Sequence, residues 1–175
     1  MKKLSYFKNK KVLITGNTGF KGAWLSIFLK NLGAKLYGLS NNIPWKNGIF
    51  TKENINDIIS QRWINIKNYS SVKKVIKEIK PDFIFHLAAQ PLVLESFKNP
   101  RKTFLTNFNG TLNVLDSVRL TSPSTPIIII TSDKVYKNND GGIFFDEHSE
   151  LKGKDPYSAS KSCSEIIAYS YSKSY

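Results

Sequence analysis

A tyrosine and a lysine four positions apart are the residues of this chain best placed to do chemistry. Tyr157 and Lys161 lie in the segment Asp-Pro-Tyr-Ser-Ala-Ser-Lys, residues 155–161. On a helix this spacing puts a phenol and an ammonium on one face. A free phenol titrates near about 10, and a neighbouring cation that lowers its pKa makes it a usable base near neutral pH. Solvated helix faces show the same spacing, so this motif alone does not establish a catalytic site.

A second reactive group follows a run of four isoleucines at residues 127–130. Ser132, Asp133 and Lys134 come directly after this run, which has the character of a buried strand. In a doubly wound sheet, ligands bind beyond the carboxyl ends of the strands. The alternative is that Asp133 and Lys134 form a plain surface ion pair.

Three glycines at three-residue spacing form the third motif. Gly16, Gly19 and Gly22 stand between an apolar run at 11–15 and a helical pattern at 23–29. Glycines in this context let the backbone turn tightly and approach a pyrophosphate, while the helix N-terminus supplies amide donors. The pattern is Gly-x-x-Gly-x-x-Gly and departs from the Gly-x-Gly-x-x-Gly fingerprint. Its strand–turn–helix context still favours a dinucleotide site over a structural loop.

These motifs lie among alternating predicted strands and helices. Strands are predicted at residues 11–15, 35–39, 62–66, 82–87 and 127–132. Helices are predicted from 23 to the Gly33 stop, from a Ser70 cap to 80, from an Asn99 cap and Pro100 to 120, and from an Asp155 cap and Pro156 onward. Residues 41–60 are predicted as a loop with a short helix, and 137–142 as a loop. The pattern predicts an α/β fold with a Rossmann-type doubly wound parallel sheet.

Length and composition exclude several classes of protein. A chain of 175 residues suits one domain, and its longest aliphatic run is far too short to span a membrane. A single cysteine, Cys163, excludes an internal disulfide, and His86 and His148 lack metal-ligand spacing, so we expect no metal and a cytoplasmic location. The net charge of +13 comes mostly from dispersed lysines, with three arginines, which argues against nucleic-acid recognition.

Four segments together resemble the extended short-chain dehydrogenase/reductase superfamily. They are Thr-Gly-Asn-Thr-Gly-Phe-Lys-Gly at 15–22, His-Leu-Ala-Ala-Gln-Pro-Leu-Val at 86–93, Thr-Ser-Asp-Lys-Val-Tyr at 131–136, and Asp-Pro-Tyr-Ser-Ala-Ser-Lys at 155–161. Within the superfamily they most resemble the CDP-glucose 4,6-dehydratases. The dTDP-glucose and GDP-mannose dehydratases generally carry glutamate where Lys134 stands, and epimerases carry small residues at the Asp-Lys position.

The resemblance implies conversion of CDP-glucose to CDP-4-dehydro-6-deoxyglucose and water, with NAD oxidised again at the end of each cycle. Tyr157 would take the C4 hydroxyl proton as hydride leaves C4. Lys161 would assist the phenol and hold the nicotinamide ribose. Ser132 would hydrogen-bond the C4 oxygen, Lys134 would remove the C5 proton, and Asp133 would give a proton to the departing C6 hydroxyl. Hydride would then return to C6.

The resemblance also implies where NAD binds. Residues expected at the cofactor are Gly16, Thr18, Gly19, Phe20, Lys21, Gly22, Ser40, Asn65, Ile66, Leu87, Ala88, Ala89, Gln90, Asn107 and Thr131, together with Tyr157 and Lys161. The small Ala88 and Ala89 would let the nicotinamide lie close to backbone, unless they serve only helix-start packing.

Three departures from the family pattern concern the cofactor and substrate. Asn65 stands where members often have aspartate, and Leu94 where they often have arginine. The predicted second strand ends in Ser-Asn-Asn at 40–42 without a carboxylate for the adenosine 2′-hydroxyl, so the choice of NAD over NADP rests on the resemblance.

Family members also extend well beyond this length. We therefore expect residues 1–175 to be an incomplete NAD-binding domain without the nucleotide-sugar domain. Alone, it should leave a sheet edge uncovered and be inactive. The complete protein is expected to be a homodimer through the helices that begin at Pro100 and Pro156. Two alternatives remain: another dehydratase or epimerase of the superfamily, and a non-catalytic NAD-binding fragment.

Overall fold

The computed structural model describes residues 6–138, 142 and 144–175, which form a five-stranded parallel sheet with helices on both faces. The strand order is β3-β2-β1-β4-β5. The strands are β1 Lys11–Thr15, β2 Lys35–Ser40, β3 Ile59–Trp63, β4 Phe83–His86 and β5 Ile127–Ile129. β1 pairs with β2 on one side and with β4 on the other, so the direction in which successive strands are added reverses at β1. The predicted Rossmann-type fold is confirmed.

Six α-helices connect or follow the strands. They are α1 Phe20–Asn31, α2 Ile49–Lys52, α3 Tyr69–Ile79, α4 Val93–Lys98, α5 Pro100–Thr121 and α6 Pro156–Ser174. Short 3₁₀ turns lie at Ile55–Asp57 and Asp133–Val135. None of the helices in the described part of the chain is long and apolar enough to cross a membrane.

Alternation along β1 divides the core between the two faces of the sheet. Leu13 packs on the face covered by α3 and α5, in a buried cluster with Val72, Ile76 and Val114. Val12 and Ile14 point to the other face and pack with α1. Because successive side chains of a strand point to opposite faces, this almost uninterrupted apolar strand is buried on both sides. The first strand is therefore fixed at the centre of the sheet, with the glycine turn directly after it.

Two predicted boundaries are wrong by a few residues. The third strand is Ile59–Trp63 and not 62–66, because Ile59 pairs with Leu36 and the chain has left the sheet by Ile66, which turns into the core. The cap of α3 is Asn68 and not Ser70, since the Asn68 side chain accepts a hydrogen bond from the Ser71 N–H at 3.0 Å. An asparagine cap competes well with serine, so composition alone could not choose between them.

The end of β5 also differs from the prediction, and one helix was not predicted. β5 ends at Ile129 and not at residue 132. The Ile130 N–H still donates to the His86 carbonyl, and the Ile130 carbonyl accepts a hydrogen bond from Lys161. α4 was not predicted. The expected short helix within 41–60 is present as α2. Of the loop predicted at 137–142, residues 139–141 lie outside the described residues.

Candidate active site

A cleft of about 650 Å³ opens at the carboxyl ends of the strands. Most of the residues expected at a cofactor line it. They are Gly16, Thr18, Gly19, Phe20, Lys21, Gly22, Ser40, Asn65, Ile66, Leu87, Ala88, Ala89, Gln90, Thr131, Tyr157 and Lys161. Segments that are far apart in the sequence thus meet at the edge of the sheet where a doubly wound fold binds ligands.

The glycine turn leaves bare backbone at the start of α1. Gly16 has φ +73°, and a Cβ there would lie 2.7 Å from the backbone nitrogen of Ala88. A Cβ at Gly22 would overlap the carbonyl oxygen of Gly16. Both contacts are far closer than real Cβ atoms approach, so these two positions require glycine. The turn can therefore fold tightly against the end of β4.

The N-terminus of α1 is free of side-chain capping. Gly19 is its N-cap, and the first bond of the helix runs from the Ala23 N–H to the Gly19 carbonyl at 2.9 Å. The N–H groups of Phe20, Lys21 and Gly22 therefore have no intrahelical acceptor. These donors, the helix dipole and the side-chain-free turn form a cradle that fits a pyrophosphate.

Asn17, which sequence reasoning missed, holds the glycine turn against the neighbouring strands. Its side chain is fully buried, donates to the Gln61 side chain at 2.7 Å, and accepts from the Ser40 hydroxyl at 2.8 Å. The Thr18 hydroxyl donates to the carbonyl of Asn42 at 2.8 Å. The turn is therefore bound to the end of β2 and to the middle of β3.

Tyr157 and Lys161 both face the cleft from the first turns of α6. Asp155 caps the helix, as predicted, by accepting hydrogen bonds from the N–H of Ser158 at 3.0 Å and from its hydroxyl at 2.6 Å. The buried Lys161 ammonium donates to the Ile130 carbonyl at 2.7 Å. Burial lowers the pKa of Lys161 to about 8, Lys21 pushes it the same way, and Glu165 opposes the change. The cleft thus holds, one helical turn from Tyr157, a lysine whose pKa burial brings nearer to neutral pH.

The buried face of α6 is made of polar side chains. Its buried residues are Ser158, Ser160, Lys161, Ser162 and Ser164. Ser162 donates to the carbonyl of Val135 at 2.8 Å, and Ser164 donates to that of Asn107 at 3.1 Å. Hydrogen bonds therefore position the helix that carries Tyr157.

Asn107 does not line the cleft but fixes Gln90, which does. Its side-chain oxygen accepts from the N–H of Gln90 at 2.7 Å, and its amide donates to the Gln90 carbonyl at 3.1 Å and the Ser160 hydroxyl at 2.8 Å. One buried side chain thus joins the segment after β4 to α6. A cofactor contact by Asn107 itself stays a prediction.

His86 is a buried component of the site that sequence reasoning did not assign. Its Nδ1 lies 2.7 Å from the Thr15 hydroxyl, and its Nε2 lies 3.0 Å from the Thr111 hydroxyl. The Thr111 hydroxyl donates to the Asn107 carbonyl, so it accepts from Nε2–H, and Thr15 then donates to Nδ1. Burial, together with the Lys161 charge, lowers the pKa of His86 to about 3. The neutral ring supports the floor of the cleft, where the Thr15 oxygen also accepts the Ala88 N–H.

Ser132, Asp133 and Lys134 are placed beyond β5 and do not line the cleft. The Ser132 hydroxyl caps a 3₁₀ turn by accepting the Lys134 N–H at 3.2 Å, and it donates to the Asp133 carboxylate at 3.0 Å. The side chains of Asp133 and Lys134 are exposed. Burial opposes ionisation of Asp155, but hydrogen bonds from Ser158 and the Tyr157 N–H and the Lys134 charge outweigh it and lower the pKa. Lys134 therefore lies near the start of α6.

The charges that line the cleft favour an anionic ligand. Four of its residues are lysines: Lys21, Lys67, Lys102 and Lys161. Glu95 is the one carboxylate among the described residues lining it, and it is bonded to Lys102 at 3.3 Å and Asn99 at 3.0 Å. A cleft dominated by positive charge raises the local concentration of anions. The described residues include no group of three or more His, Cys, Asp or Glu side chains that could hold a metal ion.

Comparison with known proteins agrees with this geometry. Residues 13–175 match the family described as GDP-mannose 4,6 dehydratase. The chain is 36% identical over 171 residues to a CDP-glucose 4,6-dehydratase of Salmonella typhimurium, a match that covers 98% of this chain and 48% of that protein. It is 30% identical to a CDP-paratose 2-epimerase of Salmonella typhi, over 93% of this chain and 53% of that protein.

Solved structures share the fold over about half of their length. The epimerase Mth375 of Methanothermobacter thermautotrophicus superposes with a TM-score of 0.83 at 28% identity, covering 100% of this chain and 51% of that one. The UDP-glucose 4-epimerase of Thermus thermophilus, solved in complex with NAD, gives 0.82 at 27% identity, covering 94% of this chain and 51% of that one. The chain thus spans about half the length of the relatives it matches. By its sequence match and its fold, it belongs to the GDP-mannose 4,6 dehydratase family.

Proposed function

We propose that this chain is the cofactor-binding and reactive part of an NAD-dependent dehydratase that acts on CDP-glucose. The observation that carries the proposal is that Tyr157 and Lys161 line the same cleft as the glycine turn. The similarity to a CDP-glucose 4,6-dehydratase supports the substrate, and the similarity to an epimerase solved with NAD supports the cofactor. The chain is similar to both a dehydratase and an epimerase, so the reaction is the part that needs testing.

The residues of the cleft have distinct roles in this proposal. Bound NAD would take a hydride from C4 of the sugar and later return it to C6. The amides at the start of α1 would hold the pyrophosphate, and Ala88 and Ala89 would leave room beside the nicotinamide. Tyr157 would accept the proton of the C4 hydroxyl, and Lys161 would hold the ribose.

The elimination across C5 and C6 is assigned to the turn beyond β5. The C4 ketone would acidify the C5 proton, which Lys134 would remove, while Asp133 would protonate the departing hydroxyl and Ser132 would bond the C4 oxygen. The position of this turn close to the start of α6 supports the assignment. The side chains of the three residues are not among those that line the cleft.

Replacing one lysine tests the elimination separately from cofactor binding. In protein expressed from the complete reading frame, Lys134→Met should leave NAD affinity unchanged and abolish dehydration. Lys137→Met is the matched control, because that exposed lysine is paired with Glu150 at 2.7 Å outside the cleft. Normal turnover by the Lys134 variant would remove this residue from the mechanism.

The substrate is tested by incubating the same protein with CDP-, dTDP-, UDP- and GDP-linked hexoses and following the 4-keto product by absorbance. We expect the product from CDP-glucose. Inversion of a sugar carbon without a keto product would favour an epimerase. Dinucleotide binding without turnover of any sugar would favour a non-catalytic binding module.

A further inference from the structure

We propose that the cleft binds the 2′-phosphorylated dinucleotide NADP about as well as NAD, an inference that rests on the proposed function. The relevant part of the molecule is the end of β2, where a Rossmann-type fold meets the adenosine ribose. There a carboxylate commonly accepts hydrogen bonds from the 2′-hydroxyl of NAD. The same carboxylate repels a 2′-phosphate, so it normally decides between the two cofactors.

The residues at this place are neutral. β2 ends at Ser40, and Asn41 and Asn42 follow it; all three line the cleft. The buried Ser40 hydroxyl donates to Asn17. The side chains of Asn41 and Asn42 are exposed, and an amide can hydrogen-bond either a hydroxyl or a phosphate.

The glycine turn lies beside this neutral end of the strand. The Thr18 hydroxyl donates to the Asn42 carbonyl at 2.8 Å, which fixes the segment after β2 against the pyrophosphate cradle. A dinucleotide held by the amides of α1 would therefore pass its adenosine ribose close to Asn41. The neighbouring residues that line the cleft after β3 are Ile64, Asn65, Ile66 and Lys67.

The charges that line the cleft are compatible with the additional 2′-phosphate of NADP but do not bind it selectively. Lys21 and Lys67 line the cleft, and Glu95, the one carboxylate among the described lining residues, is paired with Lys102. The cleft therefore does not repel the added negative charge. No arginine is among the described lining residues, so the bidentate contact that gives strong phosphate selectivity is missing. Comparable affinities follow from these two facts.

The experiment measures the affinities of NAD and NADP by calorimetry, using protein expressed from the complete reading frame. In the wild type we expect the two dissociation constants to agree within about tenfold, or about 1.4 kcal/mol. Asn41→Asp should weaken NADP relative to NAD by about tenfold or more, because it puts a like charge beside the 2′-phosphate. Asn47→Asp is the matched control: it adds the same charge to an exposed residue of the same loop that does not line this cleft.

Each outcome has a separate meaning. A wild-type preference of about a hundredfold or more for either dinucleotide would overturn this inference and leave the proposed function standing. An equal effect of the two aspartate variants would place the ribose elsewhere and also overturn it. Failure of both dinucleotides to bind would refute the proposed function itself.

Discussion

Lys161 keeps an ammonium group in a place from which water is nearly excluded. Only 4% of its surface is exposed, and its hydrogen bond goes to the Ile130 carbonyl. Burial destabilises the charged form, and no ion pair with a carboxylate of the described residues offsets this cost, which is why the pKa falls to about 8. The burial of this charged side chain therefore lowers the stability of the fold.

Stability should consequently depend on pH through this lysine. Below about pH 8 it is charged in both the folded and unfolded states, so the cost of burial is fully present. Between pH 8 and 10.5 the unfolded chain binds the extra proton, so folding becomes more favourable as pH rises. Relative to Lys161→Met, the wild-type free energy of unfolding should increase by up to about 3 kcal/mol from pH 7 to 10.5. Urea titrations of both proteins measure it, and a constant difference would contradict the assignment.

Removing the hydroxyl oxygen of Tyr157 tests whether its phenol accepts a proton. In protein expressed from the complete reading frame, Tyr157→Phe should lower the rate of product formation by about 10² to 10⁴-fold, the usual contribution of a positioned proton acceptor. Dinucleotide affinity should change little, because the ring remains. Tyr169→Phe is the control, since that tyrosine lies on α6 with 66% of its surface exposed and does not line the cleft. Equal rates for both variants would exclude Tyr157 from proton transfer.

Residue spacing predicted some members of the site and not others. Tyr157, Lys161 and the glycines could be found because their spacing along a helix or turn is itself the signal. Asn17 and His86 could not, because their partners, Gln61 and Thr111, come from strands and helices distant in the sequence. The roles of Ser132, Asp133 and Lys134 stay predictions.

At the scale of elements, the apolar runs and caps predicted the fold well. Four of five strands begin within one residue of the predicted position, since buried parallel strands give continuous apolar runs. The third failed because β3 has the mixed burial of an edge strand, with Trp63 exposed. The bounds of such a strand are set by its pairing register with β2, and that register cannot be read from the sequence.

Adding a single methyl group, by a glycine-to-alanine change, tests whether the turn before α1 requires glycine. Gly16→Ala should destabilise the protein by about 2–4 kcal/mol and abolish dinucleotide binding, because positive φ is strained and the Cβ meets Ala88 at 2.7 Å. Gly142 shares the positive φ, +64°, but apart from its chain neighbours no atom of the described residues lies within 4 Å of a Cβ added there. The control, Gly142→Ala, should therefore lose only about 1 kcal/mol. Chemical denaturation and calorimetry compare them, and equal losses would show that strain, and not the close approach, sets the requirement.

At the scale of the whole molecule, α1 presents a stripe of exposed aromatic residues. Phe20, Trp24 and Phe28, at helical spacing, are 64%, 51% and 53% exposed. Across the sheet, Ile128 on β5 is 51% exposed. These exposures agree with the expectation that residues 1–175 by themselves leave apolar surface uncovered. The domain that would follow and the homodimer remain predictions.

The stripe should be detectable by a fluorescent dye that binds apolar surfaces. In the polypeptide of residues 1–175, the double change Trp24→Gln and Phe28→Gln should reduce the fluorescence of bound dye at least about twofold, because it removes two of the three aromatic side chains of the stripe. Phe144→Gln serves as control, since that side chain is 98% exposed on a loop. An unchanged signal in the double variant would mean that the dye binds elsewhere.

The buried serines of α6 have a consequence for how accurately the Tyr157 phenol is located in the cleft. The energy of apolar contacts changes gradually as two surfaces slide past each other. Hydrogen bonds, in contrast, weaken steeply with small errors of distance and angle. Ser160, Ser162 and Ser164 therefore register the helix both along and around its axis. A misplacement of about 1 Å can lower a reaction rate roughly a hundredfold. The hydrogen bonds of these serines therefore favour accurate placement of the helix over the larger stabilisation that apolar packing would give.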